Sequence, residues 1–256
     1  MILEVQRWVE AARRIVALTG AGISTDSGIP DFRGPQGLWT KNPLAEKMSD
    51  IRYYLADPEV RKASWQNRLA SSAWNAKPNP GHLALVDLEK RRKLHALITQ
   101  NIDELHQIAG NSPGRVIEVH GSMRRFMCLG CGMRGPMPLA LERVRAGEQD
   151  PPCRDCGGIL KSDTISFGQP LVPEVIERAM QAAAGADLFI AVGTTLQVYP
   201  VAGAVDLARR AGAKIVIVNA EPTPYDDVAD ALFKEAISSV LPRITSVPES
   251  AARSPH

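Results

Sequence analysis

The chain has 256 residues, room for one large domain or two modest ones, and its 45% apolar content is ample for a buried core. A formal net charge of +2, with acids and bases interspersed, makes no case for nucleic acid or a membrane surface as a partner. No apolar run approaches the ~20 residues of a membrane span. The amphipathic, acid-containing N-terminus has the character of neither a signal nor a transit peptide, so the expected location is cytoplasmic.

In chain order, helical periodicity over 4–13 precedes a short β-branched run at 15–19, the pattern of a buried strand. That strand runs straight into Gly20-Ala21-Gly22-Ile23-Ser24. A strand ending in Gly-x-Gly lets backbone N–H groups approach a pyrophosphate without Cβ obstruction. The pattern departs from the dehydrogenase fingerprint, because Thr25 stands at the third glycine position and no acidic residue closes a second strand about twenty residues on. Hydride transfer is therefore disfavoured. Gly28-Ile29-Pro30-Asp31-Phe32-Arg33-Gly34 follows, a helix-breaking loop whose alternative reading is a structural turn with an Asp31–Arg33 pair. Residues of about 35–78 are helical in pattern with few strand signals.

A helix over 81–92 leads to a strand at 94–99, then Gln100-Asn101-Ile102-Asp103 and a helix at 103–109. The strand at 116–119 ends in His120-Gly121. A helix at 174–184 precedes a strand at 188–192 and Gly193-Thr194-Thr195; a helix at 201–211 precedes a strand at 215–218 and Asn219-Ala220-Glu221. The polar, Pro/Ser-rich stretch after about 245 reads as a disordered tail. Strands alternating with helices predict an α/β fold with a doubly wound, parallel, Rossmann-like sheet. Two stretches interrupt the alternation, 35–78 and 122–160, and together they suit a smaller zinc-binding and helical lobe. The expected large domain is therefore discontinuous: 1–34, 79–121 and 161–245, with 35–78 and 122–160 in the small one and 246–256 as the tail.

The chain's four cysteines form Cys128-x-x-Cys131 and Cys153-x-x-Cys156, with 21 residues between the pairs. Each pair sits in a glycine-marked turn that points two sulfurs at one ion, and two such turns complete a closed Cys₄ site for one structural Zn²⁺. Two disulfides or four free thiols are the competing reading; a chain of this length has no need of staples.

Five strand ends deliver amide, carboxyl, hydroxyl or imidazole groups to one sheet edge, where open α/β sheets bind ligands. At this point the chain resembles the sirtuins, NAD-dependent protein-lysine deacylases, over about 14–241, with the bacterial type as the nearest likeness. The carrying motifs are residues 20–24, 28–34, Thr99-Gln100-Asn101-Ile102-Asp103, His120-Gly121, the two cysteine pairs, 193–195 and 219–221. The resemblance implies that NAD is consumed. The acyl-lysine carbonyl oxygen displaces nicotinamide, His120 acts as general base towards the ribose, and the products are lysine and O-acyl-ADP-ribose. An imidazole with an unperturbed pKa of about 6.5 suits that duty.

By the same resemblance Asn101 and Asp103 hold the nicotinamide amide and orient its ribose, and Gln100 contacts ribose. Gly20, Ala21, Gly22 and Ser24 hold phosphate or ribose, Asp31 belongs to the same site, Arg33 adds charge and Phe32 shields the intermediate. Gly193, Thr194 and Thr195 hold phosphate; Asn219, Glu221 and Ala236 meet the adenosine end. The segment 161–169, with Ile165, Phe167 and Gly168, resembles the strand that pairs with the substrate backbone. It departs from the family at Ser162 and Gln169, where Pro and Glu are usual, and Thr195 stands for the commoner Ser. Desuccinylating sirtuins carry Tyr-x-x-Arg where this chain has Trp65-x-x-Arg68. The arginine suits an acyl carboxylate, but the missing tyrosine hydroxyl and the alternative of a surface arginine make deacetylation the expected activity. Removal of succinyl or another acyl group, protein mono-ADP-ribosylation, and NAD sensing without turnover are the alternatives. Acyl-lysine proteins or peptides and NAD are the expected partners, without direct nucleic acid or membrane binding.

Overall fold

The computed structural model describes residues 1–31, 37 and 47–248. The expected contacts of Phe32 and Arg33, and the tail from 249 onward, lie outside the described residues. A first helix, α1 (Ile2–Ala11), precedes β1 (Ile15–Thr19) and a 3-10 segment over Ala21–Ser27. Helices α2 (Ile51–Ala56), α3 (Pro58–Ala70) and α4 (Pro80–Lys90) lead to β2 (Leu94–Thr99), the short α5 (Leu105–Ala109) and β3 (Val116–Glu118). Strands β4 (Gly121–Cys128) and β5 (Arg134–Pro136), helix α6 (Met137–Arg145) and β6 (Leu160–Thr164) come next. The chain returns through α7 (Pro173–Ala184), β7 (Leu188–Val192), α8 (Ala204–Arg210), β8 (Lys214–Val218), β9 (Ala231–Phe233) and α9 (Ile237–Thr245).

Six strands make one parallel sheet in the order β3-β2-β1-β7-β8-β9. Every residue of β1 and β7 is buried, as a strand covered on both faces requires. Successive side chains alternate sides. Ile15 and Ala17 join Leu85, Leu88, Val240 and Ile244 under α1, α4 and α9, whereas Val16 and Leu18 join Ala179, Ala183, Val205 and Ala208 under α7 and α8. The alanine-rich faces of α7 and α8 let those helices lie close to the sheet.

The expected strands at 15–19, 94–99 and 188–192 have the same bounds in the fold, and those at 116–119 and 215–218 shift by one residue. The sixth strand, β9, was not foreseen. Its three residues are too few to show a period of two, and it exists because β8 offers an edge to pair with.

A second sheet, antiparallel in the order β5-β4-β6, carries the cysteines. Its core contains Phe126, Met137, Leu141, Val144 and Leu160, and also Trp65 from α3, which is only 2% exposed. Tyr54 of α2 donates its hydroxyl to the Leu160 carbonyl at 2.7 Å. The helical stretch and the cysteine module therefore share one core, and β6 runs across the position 160–161 expected as a domain boundary.

Helix α4 starts at an Asn79 cap. The Asn79 side chain accepts the Gly81 N–H at 2.9 Å and donates to the Ile23 carbonyl at 2.7 Å, and His82 Nδ1 accepts the Asn79 N–H at 3.3 Å. Below the sheet edge, His106 of α5 meets Thr19 Oγ1 at 2.9 Å, and the Thr19 hydroxyl donates to Thr99 Oγ1 at 2.9 Å. The two rings lie 4.9 Å apart, centroid to centroid, and both are buried. Burial holds His82 down at about 4, while burial and then the neighbouring His82 hold His106 well below the ordinary imidazole value.

Both histidines are neutral when folded and protonate near 6.5 when unfolded. Their contribution to stability is complete above pH 6.5 and declines as pH falls towards the folded value. At pH 5 the loss from His82 is about 2 kcal/mol, with His106 adding to it in the same direction. Denaturant midpoints taken between pH 7 and pH 5 test this: His82→Asn, which keeps an acceptor for Asn79, should show a shallower decline than the native chain. An unchanged slope would contradict it.

Candidate active site and metal centre

The sheet order reverses between β1 and β7, and the loops leaving these two strands interlock there. A Cβ on Gly22 would stand 2.7 Å from the Gly193 Cα, and one on Gly193 would stand 2.4 Å from the Ile23 nitrogen. Gly193 also has φ +61°, the left-handed region. The N–H groups of Gly20 and Gly22 already donate, to Val192 O at 3.0 Å and Gly193 O at 2.9 Å. The glycines are thus needed first to bring two loops into contact. These two N–H groups are engaged inside the junction, and the two glycines border the cleft with no side chain in the way.

Past this junction opens a cleft of about 1490 Å³ between the parallel sheet and the smaller sheet. Gly20, Ala21, Gly22, Ser24 and Asp31 line it from the β1 side, and Gly193, Thr194 and Thr195 from the β7 side. Gln100, Asn101, Asp103 and His120 line it beyond β2 and β3; Asn219, Glu221 and Ala236 close the far end; Arg68, Ile165, Phe167 and Gly168 face it from the small-lobe side. Trp65 is not among the lining residues. The position aligned with an acyl-contacting tyrosine is instead a core residue beside Met137 and Leu141, because a large apolar ring is stabilised more by full burial than at a wet cleft.

Within the cleft the polar groups are tied together. Ser24 donates its hydroxyl to Asp103 Oδ2 at 2.8 Å, and Asn101 Nδ2 donates to Gly20 O at 3.1 Å and Ser24 Oγ at 3.2 Å. The Leu105 N–H donates to Asp103 Oδ1 at 2.9 Å, and Gln100 Nε2 to Thr194 Oγ1 at 2.9 Å. Burial raises the Asp103 carboxyl above its ordinary value, outweighing these donors and the nearby Arg124. Asn219 folds its amide back on the Glu221 carbonyl at 2.7 Å.

His120 stands 3.0 Å through Nδ1 from the Gln100 carbonyl. A carbonyl only accepts, so Nδ1 carries the proton and Nε2 keeps a free lone pair. Burial lowers the His120 pKa, partly offset by that hydrogen bond, so the ring is a neutral base near pH 7.

The segment expected to pair with a substrate backbone also pairs within the chain. The Phe167 N–H donates to Ser49 O at 2.8 Å and its carbonyl accepts the Ile51 N–H at 3.0 Å, pairing locally with the start of α2. Ile165 N–H donates to the His120 carbonyl at 2.9 Å, which fixes the segment against the imidazole-bearing turn.

Two groups escaped sequence reasoning. Lys161 is buried at the cleft wall with Nζ donating to the Ser162 carbonyl at 3.0 Å, and Tyr54 lines the same wall. Burial first, then the charge of Arg68, lowers Lys161 to about 8. Arg68 is half-buried rather than a surface residue, and its Nη2 donates to Ser162 Oγ at 2.9 Å. Ser162, where the resemblance leads one to expect Pro, was the available signal: its hydroxyl accepts from the guanidinium, and a proline side chain has no acceptor.

The four cysteine Sγ atoms lie within 4.8 Å of one another. The Cys128–Cys156 and Cys131–Cys153 separations are 3.5 and 3.8 Å, too long for disulfides. They match the roughly 3.8 Å edge of a tetrahedron with Zn–S near 2.3 Å. Backbone N–H groups of Gly130 and Cys131 face Cys128 Sγ at 3.3 and 3.5 Å, and that of Gly158 faces Cys156 Sγ at 3.4 Å, as thiolates require. The donor set fits a structural zinc ion, closed to substrate by having all four positions filled by sulfur.

A sequence model of the Sir2 family matches residues 20–200. The chain is 51% identical over 230 residues to NAD-dependent protein deacetylase 2 of Streptomyces coelicolor, covering 90% of this chain and 95% of that protein. It superposes with a TM-score of 0.86, at 34% identity and over 95% and 96% of the two chains, on a Sir2 variant holding a deacetylated p53 peptide and 3′-O-acetyl ADP ribose. A Sir2–p53 peptide–NAD⁺ structure superposes with the same score at 33% identity, over 99% and 100% of the chains.

The metal centre predicts its own test. Cys153→Ser should release zinc and lower the melting temperature, because Cys153 is buried in the core that also holds Trp65. Metal analysis and tryptophan fluorescence would read both effects; full zinc content in this variant would refute the assignment.

Proposed function

The chain belongs to the Sir2 family, and from that footing we propose that it is an NAD-dependent protein-lysine deacetylase. Acetyl-lysine, NAD and water become lysine, nicotinamide and O-acetyl-ADP-ribose. The carrying observation is one cleft lined by His120, Asn101, Asp103 and both glycine loops, with the His120 base held through Nδ1. In this reading Asn101 and Asp103 bind the nicotinamide carboxamide and Gln100 the ribose. Ala21, Ser24, Thr194 and Thr195 hold pyrophosphate and ribose, with Gly20, Gly22 and Gly193 leaving room for their close approach, while Asn219, Glu221 and Ala236 receive adenosine. NAD supplies the glycosidic bond whose cleavage activates the acyl group. His120 takes a ribose hydroxyl proton at Nε2, and Ile165, Phe167 and Gly168 flank the acetylated peptide.

We assign 1–34, 79–121 and 161–245 to the NAD-binding domain and 35–78 with 122–160 to a small lobe, with β6 passing from one into the other; the shared core of Trp65 and the cysteine module supports grouping the two insertions. A cytoplasmic setting is supported by four thiols arranged for an ion rather than for disulfides. No helix of the described residues is long and apolar enough to cross a membrane.

Mass spectrometry of acetyl-, propionyl- and succinyl-lysine peptides, with and without NAD, tests the proposal. NAD-dependent loss of acetyl with equimolar nicotinamide is expected. Transfer of ADP-ribose to protein instead, or no turnover, would sink it. His120→Ala should lose turnover by at least about a hundredfold while still binding NAD; retained activity would exclude the base role.

A second reading has specific support: acceptance of an acidic acyl group. Among the described residues, no carboxylate forms an ion pair with Arg68 or Lys161, although both line the cleft. Two cations whose hydrogen bonds go to neutral partners, with Asp163 acting on Lys161 through its charge alone, suit a carboxylate guest. Arg68→Met should then cut desuccinylation about tenfold or more and spare deacetylation. Failure of the native chain to remove succinyl would end this reading.

A further inference from the structure

Strand β4 grips the loop that carries Asp103, one residue after another. The Met123 N–H donates to the Ile102 carbonyl at 2.9 Å, and Arg124 Nε donates to the Asp103 carbonyl at 3.1 Å. Arg125 Nη1 donates to Glu104 Oε1 at 3.0 Å, and the Ser122 hydroxyl donates to the same oxygen. Three consecutive strand residues thus meet three consecutive loop residues in register.

The grip extends outwards on both sides. Arg124 lies over the Trp74 ring at 5.5 Å, and Arg125 Nη2 donates to Glu118 Oε2 at 3.0 Å with Nε 3.5 Å from Asp163 Oδ2. Glu118 lies two residues before His120, and β4 ends at Cys128 in the metal centre. Glu104 also has φ +61°, a conformation unfavourable for a residue with a Cβ. Its carbonyl accepts the Ile108 N–H at 2.9 Å, and its carboxylate contacts add to the restraint on that backbone.

We propose that Glu104, Arg124 and Arg125 are positioning residues for the reaction: β4 sets the pose of Asn101 and Asp103, with the Glu104 carboxylate as its handle. The claim rests on the reading of Asn101 and Asp103 as nicotinamide-binding. It also gives a route by which the metal centre, remote from the chemistry, bears on the cleft. The β4 strand is kept in place by its pairing with β5 and β6 and by the Met123–Ile102 bond, so loss of the handle loosens the 103–104 end of the loop without undoing the lobe.

The test compares Glu104→Gly, Glu104→Gln, Arg125→Met and Asp103→Asn as zinc-loaded, full-length proteins. Glu104→Gly removes both anchors while relieving the left-handed backbone, so it should keep its zinc and its melting temperature. Its KM for NAD should rise about tenfold, with the KM for acetyl-peptide within about twofold. Arg125→Met should show the same split, and decides the matter if the glycine variant does not fold. Glu104→Gln, whose amide oxygen still accepts from Ser122 and Arg125, should restore most of the loss. Unchanged kinetics, or equal changes in both KM values, overturn the proposal. If Asp103→Asn impairs NAD use while Glu104→Gly and Arg125→Met do not, the positioning claim alone fails. If Asp103→Asn is itself silent, the assignment of Asp103 fails with it.

Discussion

At the centre of the molecule two loops touch with no space for a side chain between them, Gly20 and Gly22 on one and Gly193 on the other. The contact closes the end of the β1–β7 pair, where the sheet order reverses and the flanking loops diverge to leave a crevice. The polar groups beyond β2 are placed relative to this junction. Asn101 hangs its amide on the Gly20 carbonyl, Gln100 ties to Thr194, and Ser24 joins Asn101 to Asp103. A methyl group at Gly193 would meet the Ile23 backbone at 2.4 Å, so the junction has little tolerance for anything but glycine.

The polar net above the junction is a balance between burial and hydrogen bonding. Burial raises Asp103 and lowers His120, so one group is biased towards its protonated form and the other towards its free base. Neighbouring groups with shifts that favour their neutral forms suit a site whose substrates bring the charge. The opposite wall has another logic. Arg68 and Lys161 are anchored by hydroxyls and carbonyls and form an ion pair with no carboxylate among the described residues, so positive charge stands at the cleft wall.

The smaller lobe is held by a different mixture of forces. Four sulfurs within 4.8 Å of one another close one end of β4, and an apolar core that includes Trp65 closes its flank. Because β4 also meets residues 102–104 through main-chain and side-chain bonds, the lobe is not merely appended to the sheet. Its strand forms one side of the framework on which the Asn101–Asp103 turn rests.

Much of this was legible in the order of residues. Short β-branched runs such as 15–19 and 188–192 announced buried parallel strands, because a strand covered on both faces has no polar side to show. Cys-x-x-Cys pairs announced a metal knuckle, since two intervening residues suffice to aim two sulfurs at one point. The polar residues ending β1, β2, β3, β7 and β8 announced a shared edge. What the sequence could not decide depends on distances between segments far apart in the chain. The burial of Trp65, the exposure of Arg68 to the cleft and its Ser162 anchor, the pairing of Phe167 with 49–51 and the three-residue β9 follow from which surfaces meet once the sheets have packed. The same holds for the glycines of the first loop. Their type was dictated locally by the need for a side chain of no size, but the neighbour that imposes it, Gly193, is brought there only by the parallel pairing of β1 with β7.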